Sequence, residues 1–230
     1  VYEENFHKRN DMRVGVAQIN STVGDLTGNL GLAIDAYEQL RGQGADLIVY
    51  PELFLSGYPP RDLINKEKFL EDVSFQLHCF AKQTGPIPAL LGFPEKTGTG
   101  DFATFNSAAW CEGGEIIQVF RKRLLPTYDV FDETRYFDSG KNSLFVEYKG
   151  KKLAVTICED LWNFCESRYS QDPLDEISNF EPDLLVNLSA SPWYSGKERK
   201  RIDLLERVAH KANCPLAVSY THLRAHETSL

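Results

Sequence analysis

Apolar runs too short to be helices, separated by longer amphipathic stretches, most narrow what this chain can fold into. Residues 13–20 and 46–50 are such runs, and residues 27–42 between them carry Leu30, Ala33, Ile34, Tyr37 and Leu40 at helical spacing. Thr27 or Asn29 suits the start of that helix, and Gly42 and Gly44 its end. Interior strands are apolar on both faces, so strand, helix and strand in succession predict an α/β domain.

The rhythm continues along the chain. Residues 63–82 place Phe69, Leu70, Val73, Leu77 and Phe80 on one helical face, and residues 89–93 form a third strand. Residues 104–111 and 115–120 flank Glu112-Gly113-Gly114 as an antiparallel hairpin, and 144–148 with 153–157 form another around Lys149-Gly150-Lys151. A short helix over 173–180, a strand over 183–188, a helix over 197–212 with Ile202, Leu205, Val208 and Ala209 inward, and a strand from 215 complete the pattern.

At 230 residues, 42% of them hydrophobic, the chain is long enough for one large domain with a full core. Its formal charge of −8 argues against a nucleic-acid surface, which needs clustered Lys and Arg to replace counterions. The basic cluster from Lys197 to Arg201 is interrupted by Glu198 and reads as a solvated helix face. No apolar run approaches a membrane span and the N-terminus lacks a signal-peptide pattern, so no membrane contact and a cytoplasmic setting are expected. The cysteines (Cys79, Cys111, Cys158, Cys165, Cys214) are odd in number, with no C-x-x-C pair and no histidine at ligand spacing. Neither a disulfide framework nor a metal site is supported.

Three strand ends carry distinctive chemistry. The run Val155-Thr156-Ile157 stops at Cys158, followed by Glu159 and Asp160, acids suited to the first turn of a helix. Pro51 closes the second strand and holds Glu52 at its C-terminal end, where α/β sheets bind ligands. The apolar neighbours Leu53, Phe54, Leu55 and Tyr58 predict a partly dry carboxylate with a raised pKa, as a general base requires. Lys122, between two arginines, ends the hairpin; a solvated edge is the ordinary meaning of such a triplet. Residues 124–137 are rich in aromatics and acids without a period, which predicts an irregular loop structured by packing. A buried cysteine is usually a small hydrophobe. An acid, a base and a thiol at strand ends nonetheless form a set for nucleophilic catalysis, whereas His78 and His210 lie on helices away from any strand end.

These residues also carry a resemblance. Tyr50-Pro51-Glu52-Leu53 with Ser56-Gly57-Tyr58-Pro59-Pro60, the run from Arg121 to Glu133, and Ile157-Cys158-Glu159-Asp160-Leu161-Trp162 resemble the carbon–nitrogen hydrolase (nitrilase) superfamily. The Leu125-to-Glu133 run and Asn187-Leu188-Ser189-Ala190-Ser191-Pro192 with Gly196-Lys197 are most similar to the N-terminal glutaminase domain of glutamine-dependent NAD synthetases. The resemblance implies a four-layer α-β-β-α sandwich and a Glu-Lys-Cys triad acting on L-glutamine. Glu52 would take the proton of Cys158; Lys122 and the Glu159 backbone N–H would hold the oxyanion; Glu133 would keep Lys122 charged and aimed. Tyr58, Tyr128, Phe131, Glu159 and Ser191 match pocket positions, with aromatic core packing as the competing meaning of the three rings.

The resemblance further implies a homo-oligomer whose C-terminal synthetase domain binds ATP, magnesium and deamido-NAD, while the glutaminase domain itself needs no cofactor. Neither a Ser-Gly-Gly-type loop nor a P-loop is found in this sequence. The match spans residues 12–218. Residues 1–11 are expected to be a leader outside the domain. Residues 219–230 resemble a translated adapter peptide and are expected to be foreign, leaving the sandwich truncated. Two other readings stay open: a free-standing amidase on another small carboxamide, and a catalytically silent ammonia-channel or subunit-contact module. Turnover of glutamine against other amides separates the first, and a glutamyl adduct on Cys158 excludes the second.

Overall fold

The structure, a computed structural model, describes residues 11–98, 103–128, 131–163, 168–192 and 195–223. The greater part of the expected leader, the end of the expected tail, Cys165 and the Asp129-Val130 pair of the irregular loop lie outside the described residues.

The described residues form two sheets. The first is five-stranded in the order β1 (Val14–Val16), β2 (Leu47–Val49), β3 (Ala89–Thr97), β4 (Ala103–Glu112) and β5 (Glu115–Arg121). Its first three strands are parallel and its last two antiparallel. The second has four strands in the order β6 (Phe145–Tyr148), β7 (Lys151–Ile157), β8 (Leu184–Pro192) and β9 (Leu216–Leu223), parallel except for the β6–β7 hairpin. Helices α1 (Leu26–Gly42) and α2 (Glu67–Gln83) cover one sheet; α3 (Pro173–Phe180) and α4 (Lys197–Ala212) cover the other.

The layering follows from side-chain alternation. In and just after β2, Leu47 and Val49 face the other sheet while Ile48 and Tyr50 pack with Tyr37, Val73 and Phe80 of the helices. In β7 and β8, Leu153, Val155, Val186 and Leu188 enter the inter-sheet core, while Ala154 and Leu185 meet Leu174, Ile177, Leu204 and Val208. The central strands β2, β7 and β8 are thus buried on both faces, whereas the outer strands β5 and β6 are partly exposed. This is the expected α-β-β-α sandwich.

Several boundaries differ from the sequence expectation. Asp25, rather than Thr27 or Asn29, caps α1: its carboxylate accepts the Gly28 N–H at 2.9 Å. Residues 61–65 form a separate 3-10 turn, so α2 starts at Glu67. Strand β3 passes through Pro94 to Thr97 because its antiparallel partner β4 holds the register from Ala89↔Cys111 to Thr97↔Ala103. The inward face of α4 is Leu204, Val208 and Ala212, and Ile202 is exposed. The last strand, expected to start at 215, runs from Leu216 to Leu223, so the expected domain boundary at 218 falls within it. Ladder bonds to β8, from Leu185↔Leu216 to Pro192↔Leu223, need only backbone groups and are indifferent to side-chain pattern.

Candidate active site

Glu52 stands where β2 gives out. Pro51 cannot extend the ladder, Leu53 turns the chain with a left-handed φ of 49°, and the Leu55 N–H reaches the Gly92 carbonyl at 3.0 Å. This turn lies directly on β3. A Cβ on Gly92 would sit 2.4 Å from the Pro51 carbonyl oxygen, so glycine is required beneath the base.

Lys122 follows β5 immediately. Its N–H donates to the Asn106 carbonyl and its own carbonyl accepts from the Gly140 N–H, both at 2.8 Å. Backbone alternation sends its neighbours outward and Lys122 inward. Arg121 pairs with Glu95 through bonds of 2.7 and 2.6 Å, and Arg123 pairs with Glu176. The solvated-edge meaning fits neither kind of residue: the two arginines are partly covered and ion-paired, and Lys122 is 1% exposed.

The Cys158 corner is a 3-10 turn, Cys158–Leu161, entered with a left-handed φ of 43° at the cysteine. Asp160 holds it. One carboxylate oxygen accepts the Arg123 and Leu124 N–H groups, each at 2.9 Å, and the other accepts the Ile157 N–H at 3.0 Å. The acid expected merely to favour a helix start instead ties the cysteine turn to the segment that leaves Lys122. The irregular loop supplies the last acid: a 3-10 turn, Glu133–Arg135, is held where the Glu133 N–H meets the Pro126 carbonyl at 3.0 Å. Leu125 and Phe137 of that loop pack on Leu53, Tyr58 and Ala190, as a loop structured by packing should.

Lys122 Nζ donates to Glu52 Oε1 at 2.7 Å and to both Glu133 oxygens at 2.9 and 2.8 Å. Glu52 Oε1 also accepts Asn106 Nδ2 at 2.8 Å, and Oε2 accepts the Ala190 N–H at 2.9 Å. The Ala190 carbonyl in turn accepts Cys158 Sγ–H at 3.6 Å, so one residue of β8 bridges thiol and carboxylate. Tyr58 donates to Glu133 Oε1 at 2.9 Å.

The charges explain the proton distribution. Two carboxylates and one ammonium in a dry enclosure leave an excess negative charge that burial penalises. Burial pushes the Glu52 carboxyl up to about 7, against the opposing pull of Lys122. Burial alone would lower Lys122, but the charges of Glu133 and Glu52 hold it well above the usual lysine value. Burial, and then the Glu52 charge, raise the Cys158 thiol, so it rests protonated and needs a base to become a nucleophile.

Beside this cluster, Tyr128 donates to both Glu159 oxygens at 3.0 and 2.8 Å and Tyr169 donates to one at 3.2 Å. Arg168 lies 3.6 Å from the Tyr128 ring centroid, and Phe131 meets that ring edge-on. Tyr169 and Arg168 also line a cleft of about 1000 Å³ that runs between Leu124 and α3. Ser191 is not drawn into either group: its hydroxyl accepts from Arg201 at 2.6 Å, and Arg201 stacks 3.7 Å from the Tyr220 ring centroid. Arg201 thus packs inward, contrary to the solvated face expected of the 197–201 cluster.

Sequence reasoning missed Asn106, Asp160, Tyr169 and the backbone of Ala190. Asn106 had a signal, a lone amide in the apolar run of β4; a backbone contact has none.

Comparison with known proteins agrees with this architecture. The carbon-nitrogen hydrolase family model matches residues 13–172. The chain is 40% identical over 212 residues to a glutamine-dependent NAD(+) synthetase of Synechocystis sp., covering 88% of this chain and 38% of the relative. It is 41% identical over 208 residues to a protein of the same name from Thermotoga maritima, covering 90% and 34%. It therefore spans little more than a third of these relatives. Among solved structures, the glutamine-dependent NAD+ synthetase of Acinetobacter baumannii superposes with a TM-score of 0.81 at 32% identity, over 89% of this chain and 37% of that one. An amidase from Nesterenkonia sp. has the same fold, with a TM-score of 0.72 at 20% identity, over 91% of this chain and 75% of that one.

Proposed function

This chain belongs to the carbon–nitrogen hydrolase family, and on that premise we propose that it is the glutamine-hydrolysing part of a glutamine-dependent NAD synthetase. The observation that carries the reading is the buried Glu52–Lys122–Glu133 cluster joined to Cys158 through Ala190. Glu52 takes the Cys158 proton as Sγ attacks the side-chain amide carbon of glutamine. The carbonyl electrons move to oxygen, which Lys122 Nζ and the Glu159 N–H receive; such a donor is worth about 3 kcal/mol of barrier. Glu52 returns its proton to the departing nitrogen, and ammonia leaves a glutamyl thioester. Glu52 then deprotonates a water that attacks the thioester; glutamate leaves and the thiol is restored.

Glu133 keeps Lys122 charged and directed. Tyr58 holds Glu133, while Tyr128, Phe131 and Glu159 shape the glutamine pocket; Ser191 stays a weaker candidate, given its bond to Arg201. The glutaminase domain starts at residue 12 on this reading and includes β9, whose ladder to β8 runs past residue 218 to Leu223. Ammonia passes to a synthetase domain that amidates deamido-NAD with ATP and magnesium, in a cytoplasmic homo-oligomer. Among the described residues no helix is long and apolar enough to cross a membrane.

Ammonia release from L-glutamine, asparagine and simple aliphatic amides, with intact-mass detection of a glutamyl adduct, tests the reading. Preference for glutamine and an adduct lost in Cys158→Ala are expected. Turnover of other amides with glutamine untouched would mean a free-standing amidase. A folded protein with neither turnover nor adduct would mean a silent module.

A further inference from the structure

Glu52 receives hydrogen bonds from Lys122 Nζ, Asn106 Nδ2 and the Ala190 N–H, and every one of these partners is a donor. Such a shell favours a carboxylate, because a protonated acid could still accept from these donors but would find no acceptor among them for its own O–H. Asn106 is the member of it whose side chain carries no charge and which the reaction scheme leaves unused. It is 1% exposed, in a stretch of β4 where Ser107, Ala108 and Ala109 are all fully buried. Its Nδ2 meets the same Glu52 oxygen that Lys122 meets. Its main-chain carbonyl accepts the Lys122 N–H at 2.8 Å. Asn106, Lys122 and Glu52 thus close a ring of three hydrogen bonds. The side-chain oxygen of Asn106 is buried without a partner among the described residues, so the amide is held by its donor side alone.

We propose that Asn106 is a positioning residue for the catalytic base: its side-chain amide holds Glu52 as a carboxylate, and its carbonyl anchors the strand end that delivers Lys122. One residue thereby sets the separation between base and oxyanion donor. Without the amide donor, Glu52 loses a bond that is stronger to its ionised form, and its protonation becomes easier. The inference rests on Glu52 acting as the base for Cys158, as set out above.

The test compares wild type with Asn106→Ala and Asn106→Leu by the pH dependence of Cys158 alkylation by iodoacetamide, with peptide mapping of the labelled cysteine. This readout needs no assumption about the amide substrate. Glutamine kinetics are run in parallel. The expected result is an acid limb displaced upward by about one pH unit, and kcat lowered by about 10- to 100-fold with little change in KM, in variants that still melt cooperatively. Asn106→Asp, of nearly the same shape, covers the case in which the smaller or apolar replacements fail to fold; it replaces the amide by a second carboxyl beside Glu52 and shifts the limb the same way. An unmoved limb in a folded variant overturns the proposal, even where glutamine is turned over normally by wild type. If wild-type alkylation shows no limb that disappears in Glu52→Gln, the reading of Glu52 as base has failed instead.

Discussion

Replacing Glu52 by Gln separates the stability cost of the site from its chemistry. Burial raises the carboxyl from its ordinary 4.5 to about 7, even with Lys122 Nζ at 2.7 Å. Between those values the folded chain keeps a proton that the unfolded chain has already released. Stability rises with pH where the unfolded state binds more protons, so here it falls as pH rises. The amide of the variant is neutral throughout, so the difference between the two proteins reports Glu52 together with its charge coupling to Lys122 and Cys158, both of which are held above their ordinary values. That interval, at about 1.4 kcal/mol for each pH unit, caps the change in relative stability at about 3 kcal/mol. Most of it is registered between about pH 5 and about pH 8, in the direction of the variant. Urea unfolding of both proteins at the two pH values measures it, with matched m-values as the check that the unfolded states are comparable. The absolute stability of the variant does not matter, because the Ala190 N–H then faces an amide and shifts both pH points equally. A difference that is independent of pH, or that moves toward wild type as pH rises, would mean that the Lys122 contact outweighs burial and that Glu52 is an ordinary ion-paired carboxylate.

Three further outcomes are expected. Because Glu52 must be ionised to accept the Cys158 proton, kcat/KM should rise with pH through about 7, and a limb in the ordinary carboxylate range would contradict the buried base. Gly92→Ala puts a methyl 2.4 Å from the Pro51 carbonyl oxygen and 2.6 Å from the Leu53 nitrogen; a loss of about 1–3 kcal/mol and reduced kcat should follow, read by thermal melts and steady-state rates. Asp160→Asn turns one acceptor into a donor facing backbone N–H groups. It should cost about 1–3 kcal/mol and lower kcat without touching glutamine, and unchanged activity would remove Asp160 as the clamp on the cysteine turn.

Much of this was legible in the sequence, because the features concerned are local. Strands covered on both faces read as continuous apolar runs, and helices covered on one face show a single stripe. Pro51 stops a ladder wherever it stands, and Cys158 follows an apolar run whose end needs no tertiary information. The α/β rhythm, the strand-end positions of Glu52 and Cys158, and the irregular character of residues 124–137 come from these rules. Tertiary packing decided what distance along the chain conceals. Nothing local distinguishes Lys122 from its flanking arginines until alternation and the Gly140 contact turn it inward. Asp160 looks like a first-turn acid until three backbone donors from two segments converge on it. Ser191 sits beside Ala190, yet its hydroxyl goes to Arg201 while the Ala190 backbone joins base to nucleophile. Residue type and spacing select the groups able to do the chemistry. The burial that raises Glu52, the counter-charges that hold Lys122 protonated and the bridge to Cys158 arise only when elements far apart in sequence exclude water together.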